Sequence, residues 1–297
     1  MTEVGALVDR GVLAASVPMG PLTTYKSGGP ARWFADIGSR EVLDELIATG
    51  LTASQPLLVL GRGSNLVISD QGFDGLVIKL GPAFANVTIA GITATAGGAT
   101  PLPRLARAAA EAGIAGLEFF VGVPGSVGGA VRQNAGCFGT ETKDRLVRAE
   151  IVDLMTGGTR DGTPESLELA YRHSNLDPSD LVVEAVFAGS PGDPEVALEE
   201  IRRITRWRRE NQPGGTFNAG SVFKNPPGEP AGALIDRLGL KGIRVGDVAV
   251  SHKHANFFVA GPDATSADIL RLVEKVKDAV FEMTGTMLEA EIQFVGF

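Results

Sequence analysis

Two glycine-rich runs carry the strongest chemical signal in the chain. Gly61-Arg-Gly-Ser-Asn65 follows the apolar stretch 56–60 and leads into Leu66. Consecutive small residues let successive backbone N–H groups converge on one anion, and Ser64 and Asn65 add side-chain donors. The second run, Gly122-Val-Pro-Gly-Ser-Val-Gly-Gly-Ala130 with Asn134-Ala-Gly136, offers the same chemistry over a longer contour. Two such loops suit a diphosphate that carries a long organic body better than a single phosphate. Neither has the helix spacing or the following acidic residue of the nicotinamide dinucleotide fingerprint. Taken singly, either run reads equally well as tight-turn chemistry.

Other residues have side chains suited to reaction chemistry. Ser221 sits in Gly220-Ser-Val-Phe-Lys224, where Gly220 leaves the hydroxyl accessible; an isolated serine in a glycine turn is ordinarily a capping residue. Arg172 ends an apolar segment, where a guanidinium can grip a carboxylate with two parallel N–H bonds, although a lone arginine more often makes a surface ion pair. In Met287-Leu-Glu-Ala-Glu-Ile292 the alternation puts Glu289 and Glu291 on one face. The three histidines, His173, His252 and His254, have no metal-spaced partner, so no metal site is expected. Cys137, just past the second glycine run, reads as a small buried residue.

The totals limit the partners. The 297 residues are enough for two or three packed domains, and the formal charge of −8 disfavours binding a polyphosphate backbone by bulk charge, so no nucleic-acid partner is expected. One cysteine forms no internal disulfide and fits a reducing compartment. With no basic start before an apolar run and no apolar run near 18 residues, the chain reads as cytoplasmic, without membrane insertion. The oligomeric state is left open.

The elements that must position these residues follow in α+β order, without strict βαβ alternation. Periodicity predicts a helix over 39–50, strands at 56–60 and 75–80, a hairpin around Gly91, an alanine-rich helix over 102–113, a hairpin around Gly157-Gly158 and a strand over 181–187. A helix over 195–210 has Val196, Ile201, Ile204 and Trp207 inward and a basic run outside. Strands are expected at 247–260 and 287–295. Between them Thr265-Ser-Ala-Asp268 reads as a capping box for a helix whose stripe is Ile269, Leu272, Val273, Val276, Val280 and Met283. The turn cluster Ser190-Pro-Gly-Asp-Pro194 sets the expected boundary, with one domain over 1–194 and a second over 195–297.

In this order the motifs resemble those of the UDP-N-acetylenolpyruvoylglucosamine reductase family. Both glycine runs look like its FAD-cradling loops. Further matches are Thr23-Thr-Tyr-Lys-Ser-Gly-Gly-Pro-Ala31, Tyr171-Arg-His-Ser174, Ala219-Gly-Ser-Val-Phe-Lys-Asn-Pro226, Gly239-Leu-Lys-Gly242, Ser251-His-Lys-His-Ala-Asn-Phe257 and Leu288-Glu-Ala-Glu-Ile292. The resemblance runs from about residue 20 to the end. There are departures. Leu176 stands where an aromatic is common, and no room exists between Ser174 and the 181–187 strand for the tyrosine-bearing insertion of one branch, so the chain looks like the shorter, loop-less branch.

The resemblance implies an FAD-binding region of the vanillyl-alcohol-oxidase (PCMH) type over 1–194 and a C-terminal α+β substrate-binding domain over 195–297. It implies noncovalent FAD, since no histidine precedes His173, and NADPH as hydride donor. The implied substrate is a UDP-sugar bearing an enolpyruvyl ether, reduced in a cytoplasmic step of peptidoglycan precursor synthesis. Ser221 would donate the proton; Arg172 and Glu291 would stabilise charge in the carboxylate. FAD contacts would come from Tyr25, Gly61, Arg62, Gly63, Ser64, Asn65, Leu66, Gly122, Pro124, Gly125, Ser126, Gly128, Gly129, Asn134, Ala135 and Gly136. Arg209, Lys224, Asn225, Lys253 and His254 would bind the diphosphate. The competing readings are another FAD-linked alcohol or sugar oxidoreductase of the same fold, and a flavin- or nucleotide-sugar-binding protein without catalysis.

Overall fold

Alanine enters a helix without losing side-chain entropy, and Leu102–Glu111 forms the alanine-rich helix that follows from this, burying Leu102, Leu105, Ala106, Ala109 and Ala110. The computed structural model describes residues 3–297. The described residues fall into two compact units interleaved along the chain. One comprises residues 3–16, 33–61 and 75–206; the other comprises 17–32, 62–74 and 207–297.

In the first unit a five-stranded antiparallel sheet runs in the order Thr159–Gly162, Leu146–Asp153, Asp180–Ala188, Thr93–Gly97, Val87–Ala90. Both expected hairpins lie within it, with Ala90 opposite Thr93 and Val152 opposite Thr159. Asp180–Ala188 takes the central place, which explains its near-continuous burial. The helix Leu102–Glu111 and the glycine-run helix Val127–Gln133 belong to one core with this sheet. A second sheet, Leu13–Pro18, Pro30–Ile37, Phe73–Leu80, Leu57–Val59, carries the parallel pair Leu57↔Leu76 that ends at the first glycine run. Its core includes Leu43 and Leu46 of the helix Arg40–Ala48, which is capped by Ser39.

In the second unit Ser266–Thr284 has the expected cap, with Thr265 accepting from the Asp268 N–H and Gly285 closing the helix at φ +73°. Ile269, Leu272, Val273, Val276 and Val280 are buried. Asp70 accepts the N–H groups of Ser266 and Ala267, each at 2.9 Å. Gln293–Val295 pairs in parallel with Leu66–Ile68, placing the segment after the first glycine run beside the end of the chain.

The observed elements differ from the sequence reading at several points. The single boundary at 194/195 is replaced by the interleaved division, because the parallel pair Gln293↔Leu66 ties segments more than two hundred residues apart. The stretch 247–260 is two short strands, Val248–Val250 and Phe258–Ala260, joined by a turn, and 287–295 narrows to the strand Gln293–Val295. Val196 (68% exposed) and Trp207 (39%) face outward, because the buried stripe of Pro194–Asn211 is Ala197, Ile201 and Ile204. Met283 also faces out, since the helix stripe ends at Val280. The helices Val127–Gln133 and Ala231–Arg237 were not expected.

Candidate active site

In the first unit Gly61, which opens the first glycine run, meets Ser126 of the second. A Cβ on Gly61 would stand 2.7 Å from Ser126 Oγ, so a side chain here would displace the Ser126 hydroxyl from its cap. Ser126, buried, caps the helix Val127–Gln133 by accepting from the Gly129 N–H. Gly128 donates to the Gly98 carbonyl at 2.9 Å. The backbone N–H groups of Gly128 and Gly129 are therefore used inside the fold, against the expectation that they cradle a diphosphate. Those of Gly61, Gly125 and Ser126 donate to nothing among the described residues. In the second unit the N–H groups of Arg62, Gly63 and Asn65 are likewise without acceptors, and Gly63 adopts φ +62° against the Leu22 carbonyl, where a Cβ would collide. Within each unit, backbone donors left open in this way suit the phosphate oxygens of a group such as FAD.

Not every residue of the runs faces outward. Asn134 is fully buried in the left-handed region, φ +41°, and its amide is engaged inside the fold: Nδ2 donates to Glu141 Oε2 (3.0 Å) and the Ala170 carbonyl (2.9 Å), and Oδ1 accepts the Lys143 N–H (2.9 Å). It is a clamp rather than a dinucleotide contact. Leu66 is a buried strand residue, and Ala135 is held by its N–H to Ala130 and its carbonyl to Thr142. Gly122 is buried with Cys137 Sγ close by, and Pro124 is exposed. Tyr25 departs furthest from expectation. It lies at 1% exposure in the core with Val67, Ala219 and Val222, which gives its ring no open face toward a cofactor. Its hydroxyl has no well-formed hydrogen bond, and burial pushes its pKa up, opposed only weakly by the Ala219 backbone.

Arg172 occupies a tight turn in which Ala170 and His173 exchange backbone hydrogen bonds. Its φ of +54° is unusual for a residue with a side chain and costs roughly 1–2 kcal/mol. Strain of this kind concentrates where geometry serves function. The guanidinium donates to the Gly136 carbonyl at 3.1 Å and lies 3.8 Å from Glu141 Oε1. Its Cζ stands 5.0 Å from the Tyr171 ring centre.

In the second unit the segment holding Ser221 runs beside the segment holding Glu291. The Glu291 N–H donates to the Val222 carbonyl (2.7 Å), and Lys224 N–H to the Glu289 carbonyl (2.9 Å). Asn65 Nδ2 donates to the Glu291 carbonyl at 3.0 Å, tying the first glycine run to the same segment. Asn256, buried, clamps the other side: Oδ1 accepts Phe223 N–H (2.9 Å), Nδ2 donates to the Phe223 carbonyl (2.8 Å), and its carbonyl accepts Val222 N–H (2.9 Å). Gly220 at φ +74° turns the chain just before Ser221.

Ser221 also lines a cavity of about 360 Å³ together with Asn225, Asp236, Lys241, Lys253, His254 and Asn256. Burial, then the nearby Lys241 ammonium, hold the His254 pKa below its ordinary value. His254 Nδ1 accepts the Asn256 N–H at 3.3 Å, which leaves Nε2 as the protonated donor of the neutral ring. Lys253 Nζ donates to the Arg209 carbonyl at 2.6 Å, and Arg209 itself is exposed. Lys224 lies outside the cavity lining, paired with Glu289 at 2.5 Å. The sequence reading gave no role to Glu141, Lys241 or Asn256; Asn256 is bonded to Phe223, 33 residues away, whereas Lys241 pairs locally with Asp236. Among the described residues no group of three metal-ligating side chains occurs, and no helix is long and apolar enough to cross a membrane.

Comparison with known proteins extends these observations. Residues 34–162 match the FAD binding domain family, and residues 212–295 match the C-terminal domain of UDP-N-acetylenolpyruvoylglucosamine reductase. The reductase of that name from Erythrobacter litoralis is 44% identical over an alignment covering 97% of this chain and 88% of the relative. The crystal structure of UDP-N-acetylenolpyruvylglucosamine reductase from Thermus caldophilus superposes with a TM-score of 0.82 at 36% identity, covering 95% of this chain and 98% of that one. A Phl p 4 variant described as a glucose oxidase, with a TM-score of 0.50 at 14% identity over 97% of this chain and 64% of that one, shares the fold.

Proposed function

The chain belongs to the UDP-N-acetylenolpyruvoylglucosamine reductase family of FAD-dependent oxidoreductases, and we propose that it reduces the enolpyruvyl ether of UDP-N-acetyl-3-O-(1-carboxyvinyl)glucosamine to UDP-N-acetylmuramate with NADPH, a cytoplasmic step of peptidoglycan precursor synthesis. The observation that carries this reading is the pairing of the Ser221 and Glu291 segments beside a cavity lined by Lys241, Lys253 and His254.

The reaction converts a vinyl ether beside a carboxylate into a lactyl ether. A hydride adds to the terminal carbon and a proton to the carbon next to the carboxylate, and between these events negative charge spreads into the carboxylate. Bound FAD supplies the hydride chemistry that links NADPH oxidation to this reduction. Ser221 Oγ–H delivers the proton, with its loop fixed by Asn256 and Gly220. Arg172 grips the carboxylate as it gains charge, for which a planar fork is better suited than an ammonium. Glu291, protonated, donates a hydrogen bond to the same group. Lys253, Asn225 and the His254 Nε2–H hold the diphosphate, with Lys241 adding positive charge to the cavity.

The test uses the purified holoprotein. NADPH under anaerobic conditions should bleach the flavin absorbance, and the enolpyruvyl UDP-sugar should restore it with formation of UDP-N-acetylmuramate. A reduced protein that the sugar leaves bleached would refute the substrate assignment.

A further inference from the structure

The end of the second glycine run and the segment after it reach Arg172 at two points and the base of its turn at a third. The Gly136 carbonyl accepts from Arg172 Nη2 at 3.1 Å. The Glu141 carboxylate lies 3.8 Å from Nη1. Asn134 Nδ2 holds the Ala170 carbonyl at the base of the Arg172 turn and, at 3.0 Å, the same Glu141 carboxylate. Glu141 is fixed in turn. It caps the short helix Thr142–Asp144 in a reciprocal box with Asp144, and Lys143 Nζ stands 3.3 Å from Oε2. Both partners are largely shielded, Arg172 at 17% and Glu141 at 21% side-chain exposure. A carboxylate so restrained acts on the guanidinium from a fixed place, and it is the anion on which Asn134 and Arg172 converge.

We infer that Glu141 is a positioning residue for Arg172. Through the Asn134 clamp it holds the guanidinium of a left-handed, strained residue in the orientation that meets the carboxylate of the substrate. The inference rests on the functional reading above, in which Arg172 is the carboxylate clamp. It assigns Glu141 no contact with substrate.

A double-mutant cycle separates positioning from plain support of the fold. The rate of re-oxidation by the enolpyruvyl UDP-sugar is measured by stopped flow in the wild type, Glu141→Gln, Arg172→Lys and the double variant. Bleaching by NADPH, FAD content and thermal midpoint are recorded for each. Glutamine keeps an acceptor for Asn134 but removes the charge that aligns Arg172. Glu141→Gln is expected to slow re-oxidation on the order of 10²-fold, the loss typical of a misaligned reacting group, while NADPH bleaching stays within about threefold of the wild type. In the Arg172→Lys background the same substitution should cost less than about threefold, because lysine has no fork to align. An equal loss in both backgrounds, or none in either, would overturn the inference. If Glu141→Gln is isolated without FAD, Glu141→Asp, which keeps the charge but shortens the reach, is carried through the same cycle under the same criterion. A wild type that the sugar fails to re-oxidise would instead refute the substrate assignment.

Discussion

Asn65 holds Glu291 by its peptide: the Asn65 side-chain amide donates to the Glu291 carbonyl at 3.0 Å, and the Asn65 carbonyl accepts the Gln293 N–H at 2.9 Å. A residue of the first glycine run thus fixes the segment that carries Glu291. Asn65→Asp is nearly isosteric but places an acceptor against that carbonyl. It should lower stability by about 1–3 kcal/mol and reduce FAD retention in parallel. Thermal unfolding and the ratio of flavin to protein absorbance check both, and an unchanged melting profile with full FAD would show that the bond holds nothing.

On the proposed function, substitution of Ser221 should separate the two half-reactions. Flavin bleaching by NADPH needs no proton at the sugar, whereas reduction of the enolpyruvyl group does. Ser221→Ala should leave FAD binding and bleaching nearly intact and slow re-oxidation by about 10²–10⁴-fold, the usual contribution of a positioned acid. Ser221→Cys should recover part of the loss. Wild-type re-oxidation by the alanine variant would reduce Ser221 to a turn residue.

The flavin should be held without a covalent bond. No histidine precedes His173, and the thiol of Cys137, beside the second glycine run, donates to the Phe119 carbonyl at 3.1 Å. Acid precipitation should release yellow colour into the supernatant. Colour that stays in the pellet would contradict the expectation.

What was legible in the sequence was whatever has a local cause. The capping box at Thr265 and the stripe from Ile269 to Val280 describe their helix, and the glycine runs mark where some backbone donors are left open, though Gly128 and Gly129 spend theirs inside the fold. Val127–Gln133 escaped notice because two glycines lower its helix propensity, which the Ser126 cap and tertiary packing override. Asn134 read as a cofactor contact because its type suits one; only its partners Glu141 and Ala170 reveal a clamp. Tyr25, in the midst of a matching motif, is drawn into a core assembled from Val67, Ala219 and Val222, and no local pattern foretells such a grouping.

Glu291→Gln tests the form in which the carboxyl acts. A protonated glutamic acid and a glutamine both donate a hydrogen bond, so a partial loss of re-oxidation rate is expected, with NADPH bleaching unchanged. The backbone link from Glu291 N–H to the Val222 carbonyl does not depend on the side chain, and an unchanged thermal midpoint would exclude loss of fold as the cause. Complete loss of re-oxidation would point to proton transfer by the carboxyl itself.

His254 should make stability depend on pH near neutrality. Burial, then the Lys241 ammonium, depress its pKa below 6.5, and its own backbone and Asp236 oppose this more weakly. In the unfolded chain the imidazole takes up its proton near the ordinary value. Between the depressed folded value and 6.5 the unfolded chain therefore binds more protons, and acid favours unfolding there. The stabilisation is complete above 6.5 and is lost as the pH falls through the folded value. Protonation would also abolish the acceptor at Nδ1 that takes the Asn256 N–H, loosening the residue that clamps the segment after Ser221. Melting temperatures measured from about pH 7.5 down to about pH 5 should fall more steeply for the wild type than for His254→Gln, whose side chain does not titrate. Parallel curves would mean that His254 keeps an ordinary pKa in the folded protein and that the cavity does not exclude the charged ring.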